Sequence, residues 1–230
     1  MSSLSIVMPV FNEADGIEDA LSALAPLRQR GAKVIVVDGG SRDGTMKLAK
    51  PLADTVISAP RGRGAQMNAG AAVARGDVLL FLHGDTRLPT KADMLILDAL
   101  TLSGAAWGRF DIRIEGHLLL TVVALAMNLR SRLSGIATGD QAMFVTRAAF
   151  QSAGGFPDIA LMEDVVLSHA LKKLSSPLCL RARVVTSGRR WQRHGLLCTI
   201  LLMWRLRLAF FLGARPAALA RRYGYVPREN

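Results

Sequence analysis

Cysteine is nearly missing from the sequence: Cys179 and Cys198 are the only two in 230 residues. Two thiols cannot build a disulfide framework or a four-thiolate zinc site, and a reducing compartment is the simplest expectation. The opening Met-Ser-Ser-Leu has no basic stretch before a short apolar run that ends at Pro9 and Asn12, which is not the pattern of a secretory leader. There is no internal repeat and no low-complexity segment. No Gly-Lys-Ser/Thr follows a glycine-rich loop, which excludes a Walker A site. Acids are scarce at one end. From Ser187 to Asn230 there are nine arginines, no lysine and one acid, Glu229, a net +8 out of the chain's +11. Such a tail suits anionic partners: phosphates, a membrane surface or nucleic acid. It has little aromatic interleaving and no helix-turn-helix or zinc pattern, so nucleic acid is set aside.

Half of the residues are apolar and a fifth are charged, which rules out disordered, collagen-like and coiled-coil classes. The length allows one domain of generous size, or one with an appendage. The first hundred residues alternate between two patterns. Leu4 to Val10, Val34 to Val37, Thr55 to Ser58 and Val78 to Leu82 predict short buried strands. Between the first two, Ile17, Leu21, Leu24 and Leu27 form a helical stripe behind a capping-box-like Asp15 and Glu18, with Gly31 placed to stop it. Thr45 to Leu52, Ala65 to Ala74 and Lys91 to Leu102 complete the alternation as helices. The pattern predicts an α/β fold with a mostly parallel sheet covered on both faces.

Farther along, strands are expected at Trp107 to Ile114 and Ala142 to Val145. Helices are expected at Leu118 to Leu129, from a Thr146 cap through Ala153, at Glu163 to Leu174 and at Leu196 to Leu212. Leu118 to Leu129 could serve a partner as easily as a core. Leu196 to Leu212 is 17 residues long, near the lower limit for crossing a bilayer. Arg205 and Arg207 inside it would each cost roughly 2.5–3.5 kcal/mol at the bilayer centre. Lying in the interface plane fits better, with both arginines snorkelling and Leu197, Ile200, Leu201, Trp204, Leu208 and Phe211 on one face. A buried core or dimer helix is the competing interpretation.

Ligands of open parallel sheets bind beyond the carboxyl ends of the strands, so the residues just past each strand carry the most information. Phe11-Asn12-Glu13 comes after the first, and Asp38-Gly39-Gly40-Ser41 after the second. A carboxylate at Asp38 can accept from a nucleobase N–H or a ribose hydroxyl; a plain turn with Asp43 as a helix cap is the alternative. Arg61-Gly62-Arg63-Gly64 ahead of a helix with Asn68 suits a diphosphate, or is a solvated basic loop. His83-Gly84-Asp85 comes after the fourth strand, where Asp85 offers a hard oxygen to Mg²⁺ or Mn²⁺ and His83 could serve the metal or a ribose hydroxyl. Glu163 and Asp164 open a helix. One could be a general base for a hydroxyl, and both complement the helix dipole. Arg189-Arg190-Trp191 with His194 could neutralise a departing diphosphate, lie at a membrane interface, or be plain surface.

These segments, in this order, resemble the family 2 glycosyltransferases, whose nucleotide-sugar-binding fold is called GT-A. The resemblance runs from about Leu4 to Trp191. Ile6 to Glu13 is similar to the family's opening strand and Val36 to Thr45 to its second-strand motif, with Gly39 where a second acid is frequent. Phe81 to Asp85 stands at the Asp-x-Asp motif, with His83 replacing the first Asp. Met162-Glu163-Asp164 resembles the Glu-Asp signature. Arg190-Trp191 resembles the end of the Gln-x-x-Arg-Trp motif of processive members, but Ser187 holds the Gln position, so processive synthesis is not supported. More narrowly, the long Arg-Arg-Trp tail resembles a bacterial subgroup associated with radical-SAM/selenodomain genes, some labelled arsenosugar-biosynthesis glycosyltransferases.

The resemblance implies inverting, metal-dependent transfer from a UDP- or GDP-linked sugar to an acceptor hydroxyl of unknown identity. Pro9, Phe11, Asn12, Glu13 and Asp38 would hold the nucleotide, with Arg61, Gly62, Asn68 and His83. Asp85 would hold Mg²⁺ or Mn²⁺. Asp164, with Glu163 second, would be the base, and Gln141, Arg190 and Trp191 would serve the leaving group or acceptor. Residues 1–190 form the expected transferase domain, divided near residue 104 into donor and acceptor halves, and 191–230 a basic amphipathic tail. A cytoplasmic protein, peripheral on the inner face of the cell membrane, is expected. A nucleotidyltransferase would need a glycine-rich basic loop directly after the first strand, where Phe11-Asn12-Glu13 stands instead. A membrane-surface nucleotide- or lipid-binding protein with a degenerate site is the alternative, favoured by His83.

Overall fold

The computed structural model describes residues 3–225. Strand β1 (Leu4–Val10) lies at the centre of an eight-stranded sheet. Helices α1 (Ala14–Ser22) and α2 (Ala25–Gln29) lead to β2 (Lys33–Asp38), then α3 (Thr45–Ala49), β3 (Thr55–Ser58), α4 (Arg63–Val73) and β4 (Val78–Phe81). A two-residue strand β5 (Thr86–Arg87), α5 (Ala92–Ser103) and β6 (Trp107–Ile114) come after these. Next are α6 (Leu118–Ser134), β7 (Phe144–Thr146), α7 (Arg147–Ser152), α8 (Glu163–Lys172) and β8 (Leu178–Thr186). The chain ends in α9 (Arg189–His194), α10 (Leu196–Phe211) and α11 (Pro216–Tyr223). The strand order is β3-β2-β1-β4-β7-β6-β8-β5. The β3-β2-β1-β4 block is parallel, as is the β6-β8 pair. Strand β7 is antiparallel to both neighbours and β5 is antiparallel to β8.

The period-two alternation of β1 and β2 divides the core. Ile6, Met8, Val34 and Val36 face a layer containing Ile17, Leu21, Leu24 and Leu27. Val7, Ile35 and Val37 face α4, α7 and α8 through Met67, Phe150 and Leu167. The helical stripe is therefore buried as expected, although Ala23 and Leu24 break it into α1 and α2. The capping box at Asp15 and Glu18 does not form. The start of α1 is capped from a distance: Ala14 N–H donates to Asp43 Oδ2 at 3.0 Å and Glu13 N–H to Thr45 Oγ1 at 2.9 Å. Thr146 does cap α7, accepting from Ala149 N–H.

Strands β5 and β8 and helices α9 and α11 escape the sequence pattern. Strand β5 is two residues long, and the arginine-rich β8 is partly exposed, so neither makes an apolar run. A third cluster joins Leu161, Met162 and Val165 at the start of α8 to Leu206, Leu219 and Ala220 of the tail helices. No helix among the described residues is long and apolar enough to cross a membrane. Deeper in the sheet, the fully buried Arg109 of β6 pairs with Asp111 and donates to the Asn128 carbonyl of α6.

Helix α4 approaches the sheet closely at Gly70, where a Cβ would overlap Val7 Cγ1 and stand 2.9 Å from Val37 Cγ2. Gly16 in α1 has open space around the same position. Gly70→Ala is expected to cost about 1–3 kcal/mol by overpacking. Gly16→Ala should stabilise by about 0.5–1 kcal/mol through helix propensity and the unfolded state. Thermal melts of the two variants check this, and equal effects would contradict the close helix–sheet contact.

Candidate active site

The carboxyl ends of β1 and β2 lie side by side, with Val10 in register with Asp38. Val10 O accepts from Gly39 N–H at 2.9 Å, and one side chain donates to it and to Val37 O together. Gln66, buried in the first turn of α4, donates its Nε2 to Val10 O at 2.9 Å and Val37 O at 2.8 Å. Its Oε1 accepts from Gly62 N–H at 3.3 Å. One amide thus ties both strand ends to the Arg61–Gly62 loop. It also accounts for Gly39, because a Cβ there would stand 3.0–3.1 Å from the Gln66 amide.

Asp38 is buried. Its Oδ2 accepts the N–H groups of Gly40 and Ser41, each at 2.9 Å, and so folds the turn; its Oδ1 is buried without a partner. An unpartnered buried acceptor is costly until something donates to it. Asn12 locks the neighbouring loop onto this turn: its N–H donates to Ser41 Oγ at 2.8 Å and its Oδ1 accepts from Arg42 N–H at 2.9 Å. Phe11, Asn12, Gly39, Gly40, Arg42 and Arg61 line a cavity of about 430 Å³, within the range of small-ligand sites. The Arg61 guanidinium stacks 4.0 Å from the Phe11 ring and 5.2 Å from Tyr225, and its buried Nε has no partner. Pro9 lies one residue upstream, in β1 and in register with Val37.

Glu13, expected at the nucleoside, instead reaches its side chain to Gly84 and shares a field with Asp85. Burial, then the Asp85 charge, raises its pKa, while Arg189 and Arg63 pull the other way. The β5–β8 pairing brings the arginine-rich segment here: Thr86 pairs with Thr186, and Ser187 N–H donates to Asp85 O at 3.3 Å. Among the described residues no group of three or more His, Cys, Asp and Glu is placed to hold a metal. Asp85 and Glu13 offer hard oxygens from two carboxylates. That set fits a divalent cation whose remaining ligands are phosphate oxygens and water, the usual state of Mg²⁺.

His83 lines a second cavity of only about 10 Å³, room for roughly one water, with Phe81, Met143, Phe156, Glu163 and Asp164. Its ring packs on Gly139, where any Cβ would overlap it. Burial, aided by Arg63, pushes its pKa down to about 3, so the imidazole is neutral; Nε2 has no partner. Arg63 is crowded by protein yet open to water, as on the wall of a cleft. Desolvation opposes its charge, but Glu163, then Tyr223, Asp164 and Asp85, outweigh that and hold its pKa above the usual value.

Glu163 is buried, and burial followed by the Asp164 charge raises its pKa to about 7. Asp164 is less buried. Its Oδ2 accepts from Gly139 N–H at 2.8 Å and its Oδ1 from Val165 N–H at 2.7 Å. Met162, just before the pair, has φ +73°; with Asn12 and Ala142 it completes the set of non-glycine residues at positive φ among the described residues. All three lie in the loops around these cavities. Such strain costs on the order of 1–3 kcal/mol each and concentrates at functional sites.

Several expected site residues also have structural contacts. Asn68 donates to the Phe156 carbonyl at 2.8 Å and accepts from its N–H at 2.9 Å, and so braces the turn before α8. Gln141 is fully buried and its Oε1 accepts from Thr138 N–H at 3.1 Å, leaving Nε2 unpartnered. Trp191 packs against the core cluster that holds Leu120 and Ala124. The Arg190 side chain lies outside the described residues. Arg207 does not snorkel outward: it shares a field with Arg130 and Asp140, next to Asp164. Gln66 is a site residue that the sequence motifs do not single out; Arg63 is part of the Arg-Gly-Arg-Gly loop already read as suited to a diphosphate.

Residues 5–131 match the family described as glycosyl transferase family 2. An uncharacterized glycosyltransferase of Mycobacterium tuberculosis is 30% identical over 193 residues, covering 78% of this chain and 72% of that protein. Glycosyltransferase AglE of Haloferax volcanii is 33% identical over 91 residues, 36% of this chain and 30% of AglE, so the match spans under a third of that relative. Among solved structures, the mannosyltransferase PcManGT of Pyrobaculum calidifontis, in complex with GDP-Man and Mn²⁺, superposes with a TM-score of 0.64 at 20% identity, over 97% of this chain and 65% of that one. S. aureus TarS 1–349 in complex with UDP-GlcNAc gives 0.65 at 17% identity, over 81% and 58%. At these identities the structures share the fold.

Glu163 yields a pH prediction. Its folded pKa, about 7, lies above the ordinary 4.5, so the folded chain holds this proton longer than the unfolded chain does. Stability is therefore lost as pH rises from about 4.5 through about 7, by on the order of 2–3 kcal/mol. Glu163→Gln has no proton to lose, and its melting temperature should decline less across that window. Scanning calorimetry of both proteins tests this, and parallel profiles would refute it.

Proposed function

The chain belongs to glycosyl transferase family 2, and on that basis we propose that it transfers a sugar, with inversion, from a nucleoside-diphosphate sugar to an acceptor hydroxyl. One observation carries the proposal. The cavity at Asp38 and Arg61 and the cavity at His83 and Asp164 open on the same sheet edge, with Asp85, Glu13 and Arg63 sharing one field between them. A donor laid along that edge has its nucleoside at the first cavity and its reacting carbon toward the second.

In this scheme the free Asp38 Oδ1 accepts from the base or ribose, and the Arg61–Phe11 pair flanks the nucleoside. Asp85, with Glu13, would hold Mg²⁺ or Mn²⁺ jointly with the diphosphate; bound there, the ion supplies charge neutralisation for the leaving group. Arg63, and Arg189 beside Glu13, add fixed positive charge on the same side. Asp164 is the base. Gly139 N–H orients its carboxylate, and Glu163 stays substantially protonated near neutrality, so the two do not compete as anions. The acceptor oxygen attacks the anomeric carbon from the face opposite the diphosphate and its proton passes to Asp164. The anomeric C–O bond breaks with its electron pair leaving on the diphosphate. One displacement needs one base and no covalent sugar–enzyme intermediate.

His83 brings no negative charge where the resembled motif has an acid, so cation binding leans more on the diphosphate. Residues 1–104 act as the donor half, 105–190 as the acceptor half and 191–230 as a basic tail. The narrower resemblance to the radical-SAM/selenodomain-associated subgroup is kept with this proposal, carried by the Arg189-Arg190-Trp191 segment that β8 delivers to Asp85.

Calorimetric titration of UDP, GDP and their sugar conjugates, with Mn²⁺ or Mg²⁺ and with EDTA, tests the donor site. One nucleotide should bind, metal should strengthen it, and Asp85→Ala should remove the metal effect. Asp164→Asn should keep nucleotide binding and lower turnover roughly 10²–10⁴-fold. No nucleotide binding under any metal condition would end the proposal.

A further inference from the structure

Helices α6 and α10 each bury one face and leave an apolar face without a protein partner. In α6 the buried side carries Leu120, Ala124 and Asn128, while Leu118, Val122, Leu125, Leu129 and Leu133 form an exposed stripe at helical spacing. In α10, Thr199 and Leu206 are buried, while Leu197, Leu201, Trp204, Leu208 and Phe211 are exposed on the opposite side. The exposure is large: Leu118 is 83% and Trp204 72% accessible.

The two stripes belong to neighbouring helices. Leu196, at the start of α10, packs on the cluster containing Leu120 and Ala124 of α6. Gln192, just before it, lies 3.3 Å from the Cβ position of Gly116, just before α6. Farther along, Arg207 of α10 shares a field with Arg130 of α6. The start of α10 and the start of α6 therefore pack on one cluster, and each helix presents a row of exposed large apolar side chains of the kind that marks an interaction site.

Charge selects the occupant. Helices α6, α9, α10 and α11 contain no Asp or Glu at all. Arg193, Arg205, Arg215, Arg221 and Arg222, on the tail helices and their connection, are exposed. Arg205 flanks the α10 stripe, one residue from Trp204 and four from Leu201, where a long cationic side chain can reach headgroups while its neighbours enter the acyl boundary. A second copy of the same cationic face would meet like charge without a counter-charge. No described helix is suited to span the bilayer, so the contact is with its surface. We propose that the exposed apolar faces of α6 and α10 dock the protein on an anionic lipid bilayer, lying in the interface plane.

The test is co-sedimentation of the full chain with phosphatidylcholine vesicles, with and without phosphatidylglycerol. Binding should be at least about tenfold tighter to the anionic vesicles and should weaken with salt. Leu201→Ser/Trp204→Ser on α10 and Leu125→Ser/Leu129→Ser on α6 should each reduce it by about tenfold or more, with the thermal midpoint held because all four side chains are exposed. Equal or absent binding to both vesicle types, or variants that bind like wild type, would overturn the proposal. So would light scattering that shows a dimer dissociated by the same substitutions, which would assign the face to a second copy. None of these readouts uses the nucleotide site, so their failure is distinct from failure of the sugar-transfer proposal.

Discussion

One buried amide ties together the carboxyl ends of two adjacent parallel strands, and the candidate site is built around it. Val10 ends β1 and Val37 is next to last in β2; Gln66 donates to both carbonyls while its oxygen holds Gly62. That arrangement requires α4 to lie close on the sheet, which Gly70 permits, and requires the absence of a side chain at Gly39. The Asp38 turn, the Asn12 lock and the Arg61 loop take their positions from this clip. A buried polar group satisfied on every side rigidifies what it touches, and here it touches the ends of two strands and a basic loop.

Along the same edge, charges are arranged so that few are compensated pair by pair. Arg63 answers Glu163, Asp164 and Asp85 together, and Glu13 lies between Asp85 and the arginines of the tail. Burial then separates otherwise similar groups. Glu163 titrates near neutrality, His83 stays uncharged, and Asp164 is oriented by the N–H of Gly139, against which the His83 ring packs too closely for a side chain. Pairs of titratable groups pushed apart in this way divide acid and base roles in enzyme sites.

The basic tail does two things. Its inner side, through Leu206, Leu219 and Ala220, packs against Leu161, Met162 and Val165, and so supports the backbone that presents Glu163 and Asp164. Arg207 enters the field around Asp140 and Arg130. Its outer side is apolar and rimmed by arginine. A helix apolar all round is ordinarily buried; α10 is covered on one side by protein and uncovered on the other, which makes the same helix a brace for the site and a surface.

The order of elements through the first hundred residues is legible because buried parallel strands read as uninterrupted apolar runs and their covering helices as period-3.6 stripes. The glycine-rich turn after β2 and the His83–Asp85 loop are equally legible as chemistry placed beyond strand ends, and the Glu163–Asp164 pair as two acids that open a helix. Strand β5 and the exposed, arginine-rich β8 carry no such signal, and without them nothing in the sequence brings Arg189 near Glu13 and Asp85. Cap geometry at α1 is hidden from local inspection because its partners, Asp43 and Thr45, come from thirty residues away. Residue type and order suffice for the α/β class, the sheet edge that holds the site and the uneven charge. Which carboxylate is oriented, that Asn68 holds Phe156, that Trp191 packs on the core, that Arg207 turns inward and that α6 and α10 each leave an apolar face bare emerge only when the chain is folded. Those properties depend on distances and burial between segments far apart in the chain, which local periodicity does not encode.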